Sequence, residues 1–138
     1  MLRGPLGEDT GSESVGLAVL FPIVLLLILS AVQGGVWWYA HAVVAQAAQA
    51  GVDAGRPVRA TTTTATEAAR SFTTRAGSGV LTAVEVQAAV TVETVEVTVS
   101  GTAPRVLPIP GLDIRVEASA QASKERWTTP LAAAGGGS

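Results

Sequence analysis

Residues 15–32 read VGLAVLFPIVLLLILSAV, a stretch of 18 residues without a charged side chain. Thirteen of its residues are Val, Leu, Ile or Phe. Each of these contributes roughly −0.3 to −0.6 kcal/mol to membrane insertion, so together they favour insertion by about 4 to 8 kcal/mol. At about 1.5 Å per residue the stretch covers roughly 27 Å, close to the thickness of a bilayer core. The stretch therefore predicts a transmembrane helix.

The residues around this stretch set the limits of the predicted span. No Asp, Glu, Lys or Arg occurs from residue 14 to residue 52. We predict a leader at 1–13 and a transmembrane helix at 14–39. Basic residues occur on both sides of the span, so the positive-inside rule does not decide its orientation. The end of the span is predicted from aromatic residues that favour the membrane interface, namely Trp37, Trp38 and Tyr39.

Two other interpretations of the apolar stretch are weaker. A buried core helix would need a larger domain to cover it on all sides than the remaining residues can build. A cleaved signal peptide would need a basic leader and a site between small residues. Instead, acidic residues come before the stretch and Val32-Gln33-Gly34 follows it.

Helical periodicity continues beyond the aromatic residues. Polar side chains recur on one face at Gln46, Gln49 and Asp53, and small apolar side chains recur on another. We expect one helix of some forty residues that ends near Gly55, since the residue before Pro57 avoids helical conformation. Its extramembrane part is 40–56. The small-residue stripe is predicted to pack on the chain's own domain or on neighbouring copies, and with the two glycines before it comprises Gly34, Gly35, Val36, Ala40, Val43, Ala47, Ala50 and Ala54.

A small α+β domain is predicted at 57–127, followed by a disordered tail at 128–138. Within 59–77 the spacing of Thr64 and Glu67 predicts a capping box. A short helix follows from the apolar face that Ala65, Ala68, Ala69, Phe72 and Ala76 would form.

Alternating apolar residues predict three antiparallel strands after this helix. The alternation runs from Val84 to Val92 and then changes phase, which predicts a reversal near Glu93 and Thr94. A Pro-rich stretch at 103–111 separates the second strand from the third. Three strands with one apolar face need a cover, which the helices would supply. The apolar positions of the second and third strands are Val95, Val97, Val99, Ile114, Val116, Ala118, Ala120 and Ala122.

Composition excludes several kinds of chemistry. The chain has no Cys, so thiolate chemistry and sulfur-bound metals are excluded, and its one His follows the interface aromatic residues and is interpreted as an interfacial polar residue and not as part of a Ser-His-Asp triad. From residue 53 onward eight acidic residues balance eight basic ones, so nucleic acid is not an expected partner. Acidic residues on the strands are typical of a solvated sheet face. We predict no catalytic, cofactor-binding or metal-binding residues, no small-molecule substrate and no enzymatic activity. The residues weighed for chemistry are His41, Glu85, Glu93, Glu96 and Glu117.

The plan of one long helix on a small sheet resembles the pilins, and two segments narrow the resemblance. Residues 11–22, GSESVGLAVLFP, resemble the opening of TadE-like proteins, the minor pseudopilins of tight-adherence (Flp-type) pilus systems. Residues 99–111, VSGTAPRVLPIPG, and the strand after them resemble the loop and last strand of such proteins. The similarity spans 11–127.

The resemblance implies a processing site and one departure from the family pattern. By resemblance, prepilin peptidase would cleave between Gly11 and Ser12. The fifth residue after this bond is a Glu in the family and is linked there to subunit assembly, whereas this chain has Gly16. The carboxylate is costly in a bilayer unless it pairs, so it can drive docking onto a neighbouring subunit, which Gly16 cannot do.

The expected function follows from this resemblance. It implies a structural component of a bacterial pilus or secretion assembly, with the lipid bilayer, other pilin or pseudopilin subunits and the assembly machinery as partners. It also implies a cytoplasmic N-terminus and an extracytoplasmic domain at the cell membrane. The alternative is a membrane-tethered binding or accessory module with no filament role, which would present residues 104–111.

Overall fold

This computed structural model describes the backbone of residues 3–126 and the side chains of residues 13–126. It contains a long first helix, a short second helix and a three-stranded antiparallel sheet, which confirms the predicted α+β class. The predicted disordered tail at 128–138 lies outside the described residues. The elements are α1 (Arg3–Gly55), α2 (Thr62–Ala76), β1 (Thr82–Val90), β2 (Thr94–Ala103) and β3 (Ile114–Ser123).

Helix α1 is a single helix of 53 residues, and at 1.5 Å per residue it is about 80 Å long. It ends at Gly55 as predicted, because the residue before Pro57 is driven out of helical conformation. It is longer than the predicted forty residues, since it begins at Arg3 and includes most of the leader. The chain therefore passes from the apolar stretch into the domain without a break in the helix.

Helix α2 begins one turn earlier than the predicted capping box implies. Thr61 is the N-cap residue: its Oγ1 accepts a hydrogen bond from the Thr64 N–H at 3.4 Å. The Thr61 N–H donates in return to the Thr64 Oγ1 at 3.4 Å. The predicted box from Thr64 to Glu67 is therefore wrong, because Thr64 fills the third helical position, which Glu or Gln usually holds. The predicted apolar face does lie inward, and its members are buried or half-buried: Ala65, Ala68, Ala69, Phe72 and Ala76.

The three strands form an antiparallel meander in the order β1-β2-β3. Val90 pairs with Val95, and the Thr91 N–H donates to the Thr94 carbonyl at 2.9 Å, so the hairpin turns at Val92 and Glu93. The predicted reversal is one residue too late. Because the turn begins at Val92, this side chain leaves the apolar face of β1 and is 90% exposed.

The core lies between the inner face of the sheet and the two helices. The predicted alternation of β2 is correct there, since Val95, Val97 and Val99 are fully buried. Helix α1 approaches β2 so closely that a Cβ at Gly51 would lie 2.9 Å from a Val97 methyl group and 3.0 Å from the Ala65 carbonyl oxygen. Only a residue without a side chain allows this approach.

The segment between β2 and β3 has no helix or strand, as its prolines predict. We call residues 104–112 the Pro-rich loop. It ends in a type II turn, in which the Leu112 N–H donates to the Ile109 carbonyl at 3.3 Å. Pro110 fixes the second position of the turn, and Gly111 supplies the positive φ of 85° that the third position requires. The loop therefore has a defined conformation despite its lack of regular structure.

Candidate functional site on the N-terminal helix

The apolar part of α1 is not covered by the rest of the chain. All residues of 15–32 are exposed except Leu29, which is half-buried. Apolar surface in contact with water costs about 25 cal/mol per Å², so this part of the helix requires an apolar environment. In the part of the chain that the structure describes, α1 is the one helix long and apolar enough to cross a membrane.

The following part of α1 packs on the chain's own domain. It contacts α2, β2 and β3, which is the first of the two alternatives for the small-residue stripe. The predicted polar face is exposed at Gln46, Gln49 and Asp53. Within the stripe, Ala40, Val43 and Ala47 are buried, and Val36, Ala50 and Ala54 are half-buried.

Residues at the junction of the two parts remain accessible. A Cβ at Gly34 or Gly35 would meet no atom within 4 Å. The Tyr39 hydroxyl donates to the Ala76 carbonyl at 3.3 Å, and the Trp37 ring stacks on His41 with ring centroids 6.3 Å apart. The aromatic side chains predicted for the membrane interface keep 44%, 73% and 52% of their surface exposed at Trp37, Trp38 and Tyr39.

The residues assigned by resemblance to processing and docking lie near the start of α1. Gly11 and Ser12 belong to its helical backbone, and their role in cleavage stays a prediction. Gly16 is exposed, and a Cβ there would meet no atom within 4 Å. The place of the family's Glu therefore has room for a longer side chain.

Gln33 connects α1 to the Pro-rich loop and is 6% exposed. Its Oε1 accepts hydrogen bonds from the backbone N–H groups of Val106 at 2.6 Å and Leu107 at 3.4 Å. Its Nε2 donates to the Pro104 carbonyl at 3.3 Å. One amide side chain thus forms hydrogen bonds with two backbone N–H groups and one backbone carbonyl of the loop, which pairs with no strand. This arrangement fixes the loop beside α1, one residue beyond the apolar stretch.

Replacement of this amide is expected to release the loop while the fold is kept. Gln33→Leu leaves three backbone groups without their partner, and each unsatisfied group costs about 1–3 kcal/mol unless water reaches it. Hydrogen exchange at Val106 and Leu107 should become at least about tenfold faster, because an opening cost of 1.4 kcal/mol corresponds to tenfold. Gln46→Leu, on the exposed face of α1, is the matched control and should leave both amides unchanged. Equal protection in Gln33→Leu and the parent protein would contradict this role.

Glu85, Glu96 and Glu117 lie on the outer face of the sheet, whereas Glu93 lies in the turn between β1 and β2 and not on a strand. The Arg115 guanidinium donates to Glu85 at 3.0 Å and to the Ser100 hydroxyl at 2.9 Å. Ser100 is therefore buried beneath the Arg115 side chain, although it lies on the outer face of β2. Arg126 likewise pairs with Glu93 at 3.2 Å. The side chains in these ion pairs are well exposed, and such surface pairs contribute little to stability.

These elements define a class of protein: a candidate single membrane span that continues as one helix into a small α+β domain. Residues 11–53 match the model of the family described as TadE-like protein, which confirms the resemblance over this segment. The match covers 43 of the 138 residues, all of them in α1, and similarity to the family is shown for this segment. The similarity of the Pro-rich loop and β3 to the family lies outside the matched segment and stays a prediction. No curated protein and no solved structure matches the chain.

Sequence patterns did not predict the roles of two residues of α1: Gln33 holds the Pro-rich loop, and Gly51 allows α1 to approach β2 closely. Gln33 is the first amide side chain after the apolar stretch, and its position there is a sign of a specific partner. Gly51 precedes Gly55 by four residues, a spacing of small residues that permits close helix packing. Gly34 and Gly35, for which such packing is predicted, lie on open surface.

Proposed function

We propose that this chain is a membrane-anchored minor pseudopilin-like component of a tight-adherence pilus or secretion assembly. It acts by packing and not by catalysis, with its N-terminus in the cytoplasm and its α+β domain outside the membrane. The observation that carries the proposal is the TadE-like match, which includes the whole apolar stretch and most of the domain-packed part of α1. Its partners are the lipid bilayer, other pilin or pseudopilin subunits and the assembly machinery.

The accessible surface of α1 supports this function. Residues 15–32 are available for lateral contacts with other apolar helices, in the bilayer or in an assembly. Gly34 and Gly35 lie on open surface, where small residues let two helices approach closely. The domain-packed part keeps its own partners within the chain, so contacts along 15–35 do not require the domain to unfold.

The mature N-terminus tests the proposal. Intact mass and N-terminal peptide mapping of membrane-extracted protein would be compared in cells with and without prepilin peptidase. We expect a start at Ser12 that depends on the peptidase. A start near Met1 in both strains would contradict pilin-type processing and leave the alternative, a tethered binding or accessory module with no filament role.

A carboxylate at position 16 should increase incorporation into filaments. The structure has room there for a Glu, and a carboxylate in a bilayer is stabilised by pairing with the amino terminus of a neighbouring processed subunit. We expect Gly16→Glu to raise recovery of the chain in the sheared pilus fraction several-fold. Gly16→Gln has nearly the same shape without the charge and should not differ from the parent chain. Equal recovery of the Glu and Gln variants would show that the charge does not govern docking.

A further inference from the structure

We infer that the Pro-rich loop is a second membrane contact, which lies in the headgroup layer of the bilayer that α1 crosses. The inference depends on α1 as a membrane anchor and does not depend on a role in a pilus. The loop is fixed to α1 by Gln33, directly beyond the apolar stretch at 15–32. Its depth in the bilayer is therefore set by the depth of the helix.

The position of the aromatic residues places the loop at this depth. Trp37 and Trp38 are exposed, and rings of this kind favour the headgroup level. Gln33 precedes Trp37 by four residues on the same helix, so it lies about 6 Å nearer to the bilayer centre. Each headgroup layer is about 5–8 Å thick. A loop held at Gln33 therefore lies within this layer when the Trp rings occupy it.

The chemistry of the loop suits this layer. Residues 106–112 read VLPIPGL and carry no charge or polar side chain. The side chain at the tip, Ile109, is 48% exposed. The two charged residues that flank this segment, Arg105 and Asp113, pair with each other at 3.3 Å. An exposed apolar tip beside an apolar helix continues the surface that the bilayer covers.

The backbone of the loop also suits a medium with little water. Irregular backbone is excluded from lipid because its unsatisfied N–H groups cost several kcal/mol each. In residues 106–112, Pro108 and Pro110 have no N–H. The N–H groups of Val106 and Leu107 donate to Gln33, and those of Ile109 and Leu112 donate to carbonyls within the loop. Six of the seven backbone nitrogens from 106 to 112 therefore either have no hydrogen or donate it within the molecule.

A fluorophore attached to the loop tests the inference. The chain has no Cys, so a single substitution provides a unique attachment site. Full-length Ile109→Cys would be labelled with the NBD fluorophore and reconstituted in phosphatidylcholine–phosphatidylglycerol vesicles with and without lipid doxyl-labelled near the headgroup. We expect blue-shifted emission, and quenching by the doxyl lipid at least about twofold stronger than at the control site. Pro108→Cys, at the neighbouring exposed position, should give the same result.

The matched control is Val92→Cys, because Val92, like Ile109, is an exposed β-branched apolar residue at a turn. It lies at the opposite end of the domain, near the end of α1, where the Lys124 N–H donates to the Glu93 carbonyl and the Glu125 N–H donates to the Arg56 carbonyl. Emission there should match that of the label in water. Equal quenching at 109 and 92 would overturn the inference. A blue shift at 109 that disappears when the protein is diluted over more vesicles would overturn it too, because a second copy would then cover the loop.

Discussion

Gly51→Val is expected to destabilise the domain by about 2–4 kcal/mol, because overpacking of a rigid core costs about 1–3 kcal/mol and a clash with backbone adds to it. The new Cβ alone would lie 2.9 Å from a Val97 methyl group and 3.0 Å from the Ala65 carbonyl oxygen. The methyl group can move, but the carbonyl belongs to the first turns of α2. Thermal unfolding of the full chain in detergent, followed by the circular dichroism of the sheet, should show a Tm lower by roughly 10–20 °C.

Two further variants separate this clash from a change in helix propensity. Ala45→Val places the same side chain on the exposed face of α1 and should lower the Tm by only a few degrees, since it costs about 0.5 kcal/mol of propensity. Adding Val97→Ala to Gly51→Val removes the nearer clash and should restore part of the loss. If Gly51→Val and Ala45→Val had the same Tm, the close approach of α1 to β2 would be contradicted.

The double substitution Leu25→Arg and Leu27→Arg is expected to remove the chain from the membrane. Arg at the centre of a span costs about 2.5–3.5 kcal/mol, and each replaced Leu withdraws its own favourable contribution. The total change of about 6–8 kcal/mol offsets the 4–8 kcal/mol by which the apolar residues favour insertion. Most of the variant should appear in the soluble or aggregated fraction after membrane extraction at alkaline pH, whereas the parent chain stays with the membrane.

The control for the second prediction uses the same helix outside the apolar stretch. Ala45 and Gln49 are exposed on the polar face of α1. Ala45→Arg with Gln49→Arg adds the same charge to the chain and should leave it in the membrane fraction. Retention of the Leu25 and Leu27 variant in that fraction would mean that 15–32 does not span the bilayer.

The sequence predicted those parts of the structure that depend on strong local patterns. The end of α1 follows from Gly55 and Pro57, and the inward faces of β2 and β3 follow from alternation over several residues. Both patterns reflect constraints that act within one element. They were sufficient for the fold class and for the uncovered apolar helix.

The errors arose where a residue's role depends on a second element or on competition between neighbours. Thr61 and Thr64 form a reciprocal cap, and this pair outcompetes the Glu67 pattern one turn later. Val92 fits the alternation of β1, but the pairing of β1 with β2 places it at the turn. Gln33 depends on a loop residue 73 positions away, and Gly51 depends on Val97 in β2 and Ala65 in α2, which periodicity within α1 cannot reveal.

The absence of any break in α1 has a consequence for how the domain is oriented. Each helical residue turns the chain by about 100°, so one alanine inserted between Val32 and Gln33 would rotate the domain about the helix axis by that angle. Seven inserted residues would bring it back to within about 20° of its original azimuth. Both halves of the helix would keep their own composition in either case. The direction that the sheet faces around the membrane normal or a filament axis therefore depends on the number of helical residues between the apolar stretch and the domain.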